Sequence, residues 1–367
     1  MSDWTRAMAR GEIFNLKPYI PGKPVEEVQR ELGLTDIVKM ASNENPLGPS
    51  PLAVKALGEA LDRIYMYPDA NCFQLRDKMA AKLDVRERSI VIGNGSDELL
   101  KMIAEAFIHS GDEVIYADPT FAEYEFTALL MGACTRTIPL NNFGHDLEGI
   151  LAVVNEKTRI IYLCNPNNPT GTVVTQAQLD RFIALLPETV LLVIDEAYGE
   201  YATNPEYPDG LRYVREDRPV IVLRTFSKIY GLAALRVGYG VTRTDIAAAL
   251  ERVREPFNVN MLAQVGATAA LEDQEHLSRS LECNQQGKDY LYRELGRMGL
   301  KWVPTEANFV LVDTAQDCQK VYEQLLRQGI IVRSGNVFGY PTHIRVTVGL
   351  PDQNARFIKA LKDVLVR

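Results

Sequence analysis

The sequence has little of what marks proteins that bind nucleic acids, metals or membranes. No block of lysines and arginines occurs, and the 367 residues carry a formal net charge of −8, which argues against a nucleic-acid-binding surface. The five cysteines and four histidines are scattered, without the spacing of a metal site or a disulfide framework. No apolar run approaches a membrane span, and the N-terminus has no apolar signal segment. We therefore expect a cytoplasmic protein with reduced cysteines and no metal.

One lysine stands in an unusual setting. The apolar run 220–223 predicts a buried strand, and Lys228 follows at its exit. The hydroxyls of Thr225 and Ser227 lie beside the lysine in sequence, and Arg236 follows eight residues later. An amine next to ligands for an anion suits a lysine that forms a Schiff base with a phosphate-bearing aldehyde.

A second predicted strand, residues 90–92, leads into a glycine-rich turn and then a helical pattern. Gly95, Ser96 and Asp97 stand where that helix begins. Free backbone N–H groups and the positive end of the helix dipole make such a point an anion site. The alternative is an ordinary strand-to-helix turn with a good cap.

Two further predicted strands end in polar residues. Residues 159–164 lead into the rigid loop 165–171, which contains three asparagines and two prolines. Ligands bind at this end of the strands in open α/β sheets. Residues 190–194 lead into Asp195, and a carboxylate there is costly unless it meets a cation. Asp195 could instead cap the following turn.

Taken together, these motifs resemble those of fold-type I, class-II aminotransferases, which depend on pyridoxal phosphate (PLP). The segments that carry the resemblance are residues 42–48, 65–69, 119–124, 165–171, 195–198 and 225–236. The resemblance implies an α/β fold: a large domain with a mostly parallel central sheet flanked by helices, and a smaller α/β domain. We predict an N-terminal arm and helix at 1–35 that joins the small domain. The PLP-binding domain then covers 36–255, and an interdomain helix and the small domain cover 256–367.

The resemblance also implies roles for individual residues. Lys228 holds PLP and transfers protons, Asp195 faces the pyridine nitrogen, and Tyr198 shares the phenolic oxygen with Asn168. The ring of Tyr124 stacks on the pyridine. The cofactor phosphate is held by Gly95, Ser96, Asp97, Thr225, Ser227 and Arg236. Tyr67 reaches the phosphate of a second copy, which implies a homodimer.

Two further sequence segments indicate which residues would bind the substrate. Residues 15–19 and 329–333 resemble segments of the histidinol-phosphate aminotransferase family, in which Tyr19 and Arg333 would meet the substrate phosphate. Arg345 would clamp an α-carboxylate, and Asn45, in the N-terminal active-site loop, would contact substrate. For either arginine alone, a structural salt bridge is the alternative.

The implied reaction is amino transfer between L-histidinol phosphate and 2-oxoglutarate, giving imidazole-acetol phosphate and L-glutamate, a step of histidine biosynthesis. An aromatic-amino-acid aminotransferase of the phenylalanine type is the first alternative. A PLP-dependent decarboxylase or lyase and a non-catalytic binder with this fold are the others.

Overall fold

The structure, a computed structural model, describes residues 2–16 and 22–365. The helices are α1 Asp3–Met8, α2 Val25–Leu32, α3 Pro51–Ala60, α4 Phe73–Leu83, α5 Gly95–Phe107, α6 Glu123–Leu130, α7 Leu147–Val153, α8 Gln176–Leu185, α9 Gly210–Arg215, α10 Thr244–Val253, α11 Met261–Ala270, α12 Gln274–Arg297, α13 Cys318–Arg327 and α14 Pro351–Leu365. The strands are β1 Val38–Lys39, β2 Ile90–Gly93, β3 Glu113–Asp118, β4 Cys134–Pro139, β5 Thr158–Cys164, β6 Leu191–Asp195, β7 Val220–Thr225, β8 Gly238–Thr242, β9 Lys301–Val303, β10 Phe309–Asp313, β11 Ile330–Ile331, β12 Arg333–Ser334 and β13 His343–Thr347.

A seven-stranded sheet organises the first two thirds of the chain. Its order is β2-β8-β7-β6-β5-β3-β4, and all neighbours are parallel except β8, which runs antiparallel to β2 and β7. Successive residues of a strand face opposite sides, so Ile161 packs in one apolar cluster and Ile160 in the other. Both faces are therefore buried. The predicted α/β fold with a mostly parallel sheet is confirmed.

A second, antiparallel sheet lies in the C-terminal part, with the order β12-β13-β10-β9. Its apolar side chains pack with α12, α13 and α14 in a separate cluster. β1 pairs in parallel with β11, although the predicted boundary at residue 36 assigns β1 to the large domain. Hydrogen bonds between distant segments decide this pairing, so local pattern could not reveal it. All of the predicted domain boundaries, including the one at residue 36, stay predictions.

Local signals set several element ends. α2 stops at Gly33, whose φ of +67° is readily adopted by glycine. None of the helices in the described ranges is long and apolar enough to cross a membrane. All five cysteines are free, and Cys72, Cys164 and Cys318 are buried.

The parallel strands align the residues that follow them. In the ladder Cys164 lies opposite Asp195, and Asp195 opposite Leu223. The carboxyl ends of β5, β6 and β7 therefore meet at one edge of the sheet, and the loops that leave them lie side by side.

Candidate active site

A cavity of about 500 Å³ opens between this sheet edge and the C-terminal sheet. Lys228, Asn168 and Tyr198 line it from the large sheet, while Arg333 and Arg345 line it from the antiparallel sheet. Thus residues from two regions of the molecule face one space.

The side chain of Lys228 is half-buried at the wall of the cavity. Its Nζ donates to the backbone oxygen of Ser42 at 3.3 Å and lies 5.5 Å from the ring centroid of Tyr198. Burial lowers the pKa of this amine to about 8, and the positive charge of Arg345 acts in the same direction. Near neutral pH a useful fraction of Lys228 is therefore uncharged, the form that attacks a carbonyl.

Asp195 ends β6 and is only 3% exposed. Its carboxylate accepts hydrogen bonds from the Tyr124 hydroxyl at 2.7 Å and the Ala197 N–H at 3.0 Å. Burial raises the pKa of Asp195 to about 6, because these neutral donors do not fully replace water. A cation placed against this carboxylate would relieve that cost.

The N-terminus of α5 offers an anion site with a cation beside it. Gly95 has φ +81°, and a Cβ there would lie 2.6 Å from a guanidinium nitrogen of Arg236. Arg236 donates to Asp97 Oδ2 at 2.9 Å. Free N–H groups of a 13-residue helix and a guanidinium therefore lie together, as phosphate binding requires.

The two cavity arginines stand opposite each other, because Arg333 of β12 pairs with Arg345 of β13. Directly opposite residues share one face of a sheet, and like charges there repel unless an anion lies between them. Arg345 is 6% exposed and donates to the backbone oxygen of Ala41 at 2.8 Å and to Asn168 Oδ1. Its guanidinium carbon also lies 5.1 Å from the ring centroid of Phe309. This arrangement fits recognition of carboxylate or phosphate.

Comparisons with known proteins agree with this geometry. Residues 35–361 match the family described as aminotransferase class I and II. The chain belongs to that family. It is 57% identical to histidinol-phosphate aminotransferase of Moorella thermoacetica, over 97% of this chain and 92% of that protein. It is 49% identical to the enzyme of the same name from Caldicellulosiruptor saccharolyticus, over 98% of this chain and 100% of that one.

A solved structure also superposes closely on this chain. Histidinol-phosphate aminotransferase from Sinorhizobium meliloti, in complex with pyridoxal-5′-phosphate, gives a TM-score of 0.90 at 29% identity. The superposition covers 98% of this chain and 98% of that one. The likeness therefore extends over both sheets.

The structure brings most of the predicted aminotransferase residues together. Lys228, Asn168, Tyr198, Arg333 and Arg345 line the cavity. The predicted phosphate ligands form two groups. Gly95, Ser96 and Asp97 lie at the start of α5, and Thr225, Ser227 and Arg236 lie in the segment around Lys228, here called the lysine loop. Gly238 connects the two groups, since a Cβ there would lie 2.6 Å from the backbone nitrogen of Ser96.

The structure does not support Tyr124 as the ring that stacks on the cofactor. Tyr124 is fully buried, with its ring 4.7 Å from that of Tyr162 at an interplanar angle of 5°. Its hydroxyl is engaged by Asp195. Phe121, three residues earlier, lines the cavity instead. The turn before α6 presents the first aromatic of the motif to the cavity and the second to the core.

Asn45, predicted as a substrate contact, does not line the cavity and is hydrogen-bonded within the protein. Its Nδ2 donates to the backbone oxygen of Ile229 at 2.7 Å and to Ser280 Oγ at 2.9 Å, and its Oδ1 accepts from the Leu47 N–H. Both ends of this buried amide are engaged, and its Nδ2 ties the N-terminal loop to the segment that follows Lys228 and to α12. Asn45 therefore supports the site from behind.

Tyr67 lies outside the cavity of a single chain. Tyr67 is 83% exposed, and its ring stacks on that of Phe257 at 4.7 Å. Tyr19 falls outside the described residues.

Sequence reasoning missed several residues that line the cavity, among them Asn43, Phe121 and Glu123. Asn43 Nδ2 donates to the Tyr198 hydroxyl at 2.8 Å, and its backbone has φ 57°. Both Asn43 and Phe121 lie inside motifs that the sequence singled out, so the motifs located the segments but not the side chains that face the site. In the described ranges no cluster of His, Cys, Asp or Glu could hold a metal.

Proposed function

We propose that the protein transfers the amino group of L-histidinol phosphate to 2-oxoglutarate with PLP as cofactor, a step of histidine biosynthesis. The observation that carries this proposal is the cavity that joins Lys228 to the in-register pair Arg333 and Arg345. An amine nucleophile and two anion-binding groups suit a substrate that carries both an amine and a phosphate. The 57% identity to a relative named for this activity supports the same substrate.

The residues fit PLP on three independent points. Lys228 supplies an amine with a lowered pKa. Asp195 supplies a buried carboxylate that a pyridinium would satisfy. The start of α5 with Arg236 supplies a phosphate site that no side chain at position 95 could share. When bound, PLP supplies an aldehyde that exchanges amines and a ring that accepts electrons from the substrate's α-carbon.

Proton transfer falls to Lys228. Its neutral Nζ would take the proton from the substrate's amine-bearing carbon and later return a proton. Asp195 would hold the pyridine nitrogen of the cofactor in its protonated form. Tyr198 and Asn168 would hold the cofactor's phenolic oxygen. Asn43 donates to the hydroxyl of Tyr198, and Arg345 fixes Asn168. Phe121, which lines the cavity, would contact the cofactor ring.

Arg333 and Arg345 select the substrate. Arg345 binds the α-carboxylate of L-glutamate, and Arg333, together with Tyr19, binds the phosphate of L-histidinol phosphate. Because the arginines pair in register, both anions are held on the same side of the cavity.

The proposed partner is a second copy of this chain. Tyr67 is surrounded along the chain by exposed apolar side chains, among them Ile64, Tyr65 and Phe73. An apolar patch of this kind is typical of an interface. Tyr67 would there reach the PLP phosphate of the other subunit. A cytoplasmic location stays a prediction from the sequence.

Steady-state kinetics of the purified, PLP-loaded protein test the proposal. We expect kcat/KM with L-histidinol phosphate and 2-oxoglutarate to exceed that with L-phenylalanine at least about ten-fold, since only the first substrate offers a phosphate to Arg333. A preference for L-phenylalanine would assign the protein to the aromatic group. Turnover without any 2-oxo acid would assign it to the decarboxylases or lyases.

A further inference from the structure

The N-terminal turn of α6 brings an unassigned carboxylate to the cavity. Glu123 is the first residue of α6, is half-buried, and lines the cavity together with Phe126 and Leu129. Among the described residues its carboxylate has no hydrogen-bond or ion-pair partner. The lining also contains three cations, Lys228, Arg333 and Arg345, and one further carboxylate, that of Glu125. The cavity is thus cationic except along this turn.

Glu123 differs from its neighbour Glu125. Glu125 is exposed to water, whereas Glu123 is partly shielded from it. Burial raises the pKa of the Glu123 carboxyl, and the negative charge of Asp97 adds to this. A half-buried carboxylate without a donor is destabilising, and a ligand that brings an N–H group removes the cost.

The apolar side chains beside Glu123 restrict what that ligand is. Phe126 and Leu129 are partly buried and offer flat apolar surface. A planar ring with an N–H at its edge satisfies both features, because its faces pack on the apolar side chains while its edge meets the carboxylate. Imidazole is such a ring, whereas phenyl has no N–H.

We propose that Glu123 is a specificity residue that accepts a hydrogen bond from the imidazole N–H of the substrate, between Phe126 and Leu129. This inference rests on the proposed function and deepens it: the arginines bind the anionic groups, and Glu123 distinguishes an imidazole from a phenyl side chain. Binding sites with a buried polar group reject analogues that leave it unpaired.

Two matched substrates isolate this contact. L-Histidinol phosphate and L-phenylalaninol phosphate share the amine and the phosphate and differ only in the ring. With 2-oxoglutarate as acceptor, we expect Glu123→Gln to lower kcat/KM for L-histidinol phosphate about ten-fold, because a neutral amide oxygen is a weaker acceptor for the imidazole N–H than a carboxylate. The kcat/KM for L-phenylalaninol phosphate stays within about two-fold.

Glu156→Gln is the control, since it removes a negative charge from an exposed position outside the cavity. It leaves both values unchanged. An equal loss for both substrates in Glu123→Gln, or no loss for either, overturns the inference. An equal selective loss in Glu156→Gln overturns it as well, because long-range charge would then explain the effect.

Calorimetry supplies a readout that does not depend on turnover. L-Histidinol phosphate and L-phenylalaninol phosphate are titrated into PLP-loaded protein carrying Lys228→Ala, with and without Glu123→Gln. We expect Glu123→Gln to weaken binding about ten-fold for the imidazole compound alone. If the unsubstituted protein turns over neither compound, the proposed function fails. The same titrations with L-histidine and L-phenylalanine then decide the Glu123 inference: a loss for L-histidine alone supports it, and equal effects overturn it.

Discussion

The two sides of the cavity are built in different ways. On the lysine side, Asn168, Asp195 and Lys228 leave the carboxyl ends of three neighbouring parallel strands, β5, β6 and β7. On the arginine side, Arg333 and Arg345 stand on antiparallel strands and depend on contacts with distant segments. The bond from Arg345 to the Ala41 oxygen spans 304 positions of the chain.

This difference indicates a division of labour. The sheet ladder fixes the spacing of the lysine side, where the chemistry takes place. The arginine side is fixed by cross-links to the N-terminal loop and to Asn168, and it chooses the substrate. Substitutions on the lysine side should therefore affect all substrates alike, and those on the arginine side should separate one substrate from another.

The largest effect is expected for Lys228→Ala. Loss of the group that holds the cofactor and moves the proton lowers kcat/KM about a thousand-fold or more for every amino donor. Steady-state assays with L-histidinol phosphate and L-glutamate measure it, and circular dichroism checks the fold. Lys101→Ala, an exposed lysine of α5, is the control and retains activity. A loss confined to one donor would contradict the division.

Asp195→Asn is expected to stabilise the PLP-free protein at high pH. The folded pKa of about 6 lies above the ordinary value of 3.8, so the folded state binds the proton more tightly than the unfolded state. The free energy of unfolding therefore falls as pH rises from about 4 to about 6, and the full cost remains above that range. Removing the charge recovers up to about 3 kcal/mol at about pH 8.

Urea denaturation of the PLP-free proteins at about pH 8 and about pH 5 measures this difference. The advantage of Asp195→Asn shrinks at the lower pH, where Asp195 is largely protonated. A variant that is less stable than the parent protein at about pH 8 would show that the buried charge carries no such cost.

Arg345→Lys and Arg333→Lys test the arginine side. Lysine keeps the charge but loses the planar fork, so we expect Arg345→Lys to lower kcat/KM for L-glutamate about ten- to a hundred-fold. Arg333→Lys lowers kcat/KM for L-histidinol phosphate about ten-fold and leaves L-glutamate nearly unchanged. An equal loss of kcat/KM for both donors in Arg333→Lys would mean that Arg333 does not bind the substrate phosphate.

The smallest effect concerns the aromatic residues before and within α6. Phe121→Leu removes a ring that lines the cavity, and we expect the Kd for PLP to rise about three- to ten-fold. Tyr124→Phe keeps the ring stacked on Tyr162 and loses only the hydroxyl, so its effect on that Kd is smaller. Equilibrium titration with PLP compares the two. The reverse order would restore Tyr124 as the stacking ring.

The lysine side could be predicted from sequence because its motifs are local. Each functional residue follows an apolar strand, and parallel strands place their carboxyl ends at one edge. Strand and spacing therefore single out Lys228, Asp195 and the loop 165–171, whereas the choice of Asn168 within that loop rests on the family resemblance.

The other features of the site depend on the direction of side chains in loops and on pairing between distant strands. Local sequence patterns do not reveal either. Within the loop 42–48, Asn43 faces the cavity and Asn45 faces the protein, and no periodicity distinguishes them. Phe121 and Tyr124 point in different directions because a turn precedes α6. The pairing of Arg333 with Arg345 and of β1 with β11 is set by register between distant strands.

The most direct test of the central claim is a half-reaction followed by absorbance. L-Histidinol phosphate is added to the PLP-loaded protein without any acceptor, and the absorbance band of the lysine-bound cofactor is recorded. We predict that the band disappears, that the ketone product forms in equal amount, and that 2-oxoglutarate restores the band. A band that does not respond to L-histidinol phosphate but does respond to L-phenylalanine would contradict the proposed substrate and the phosphate role of Arg333.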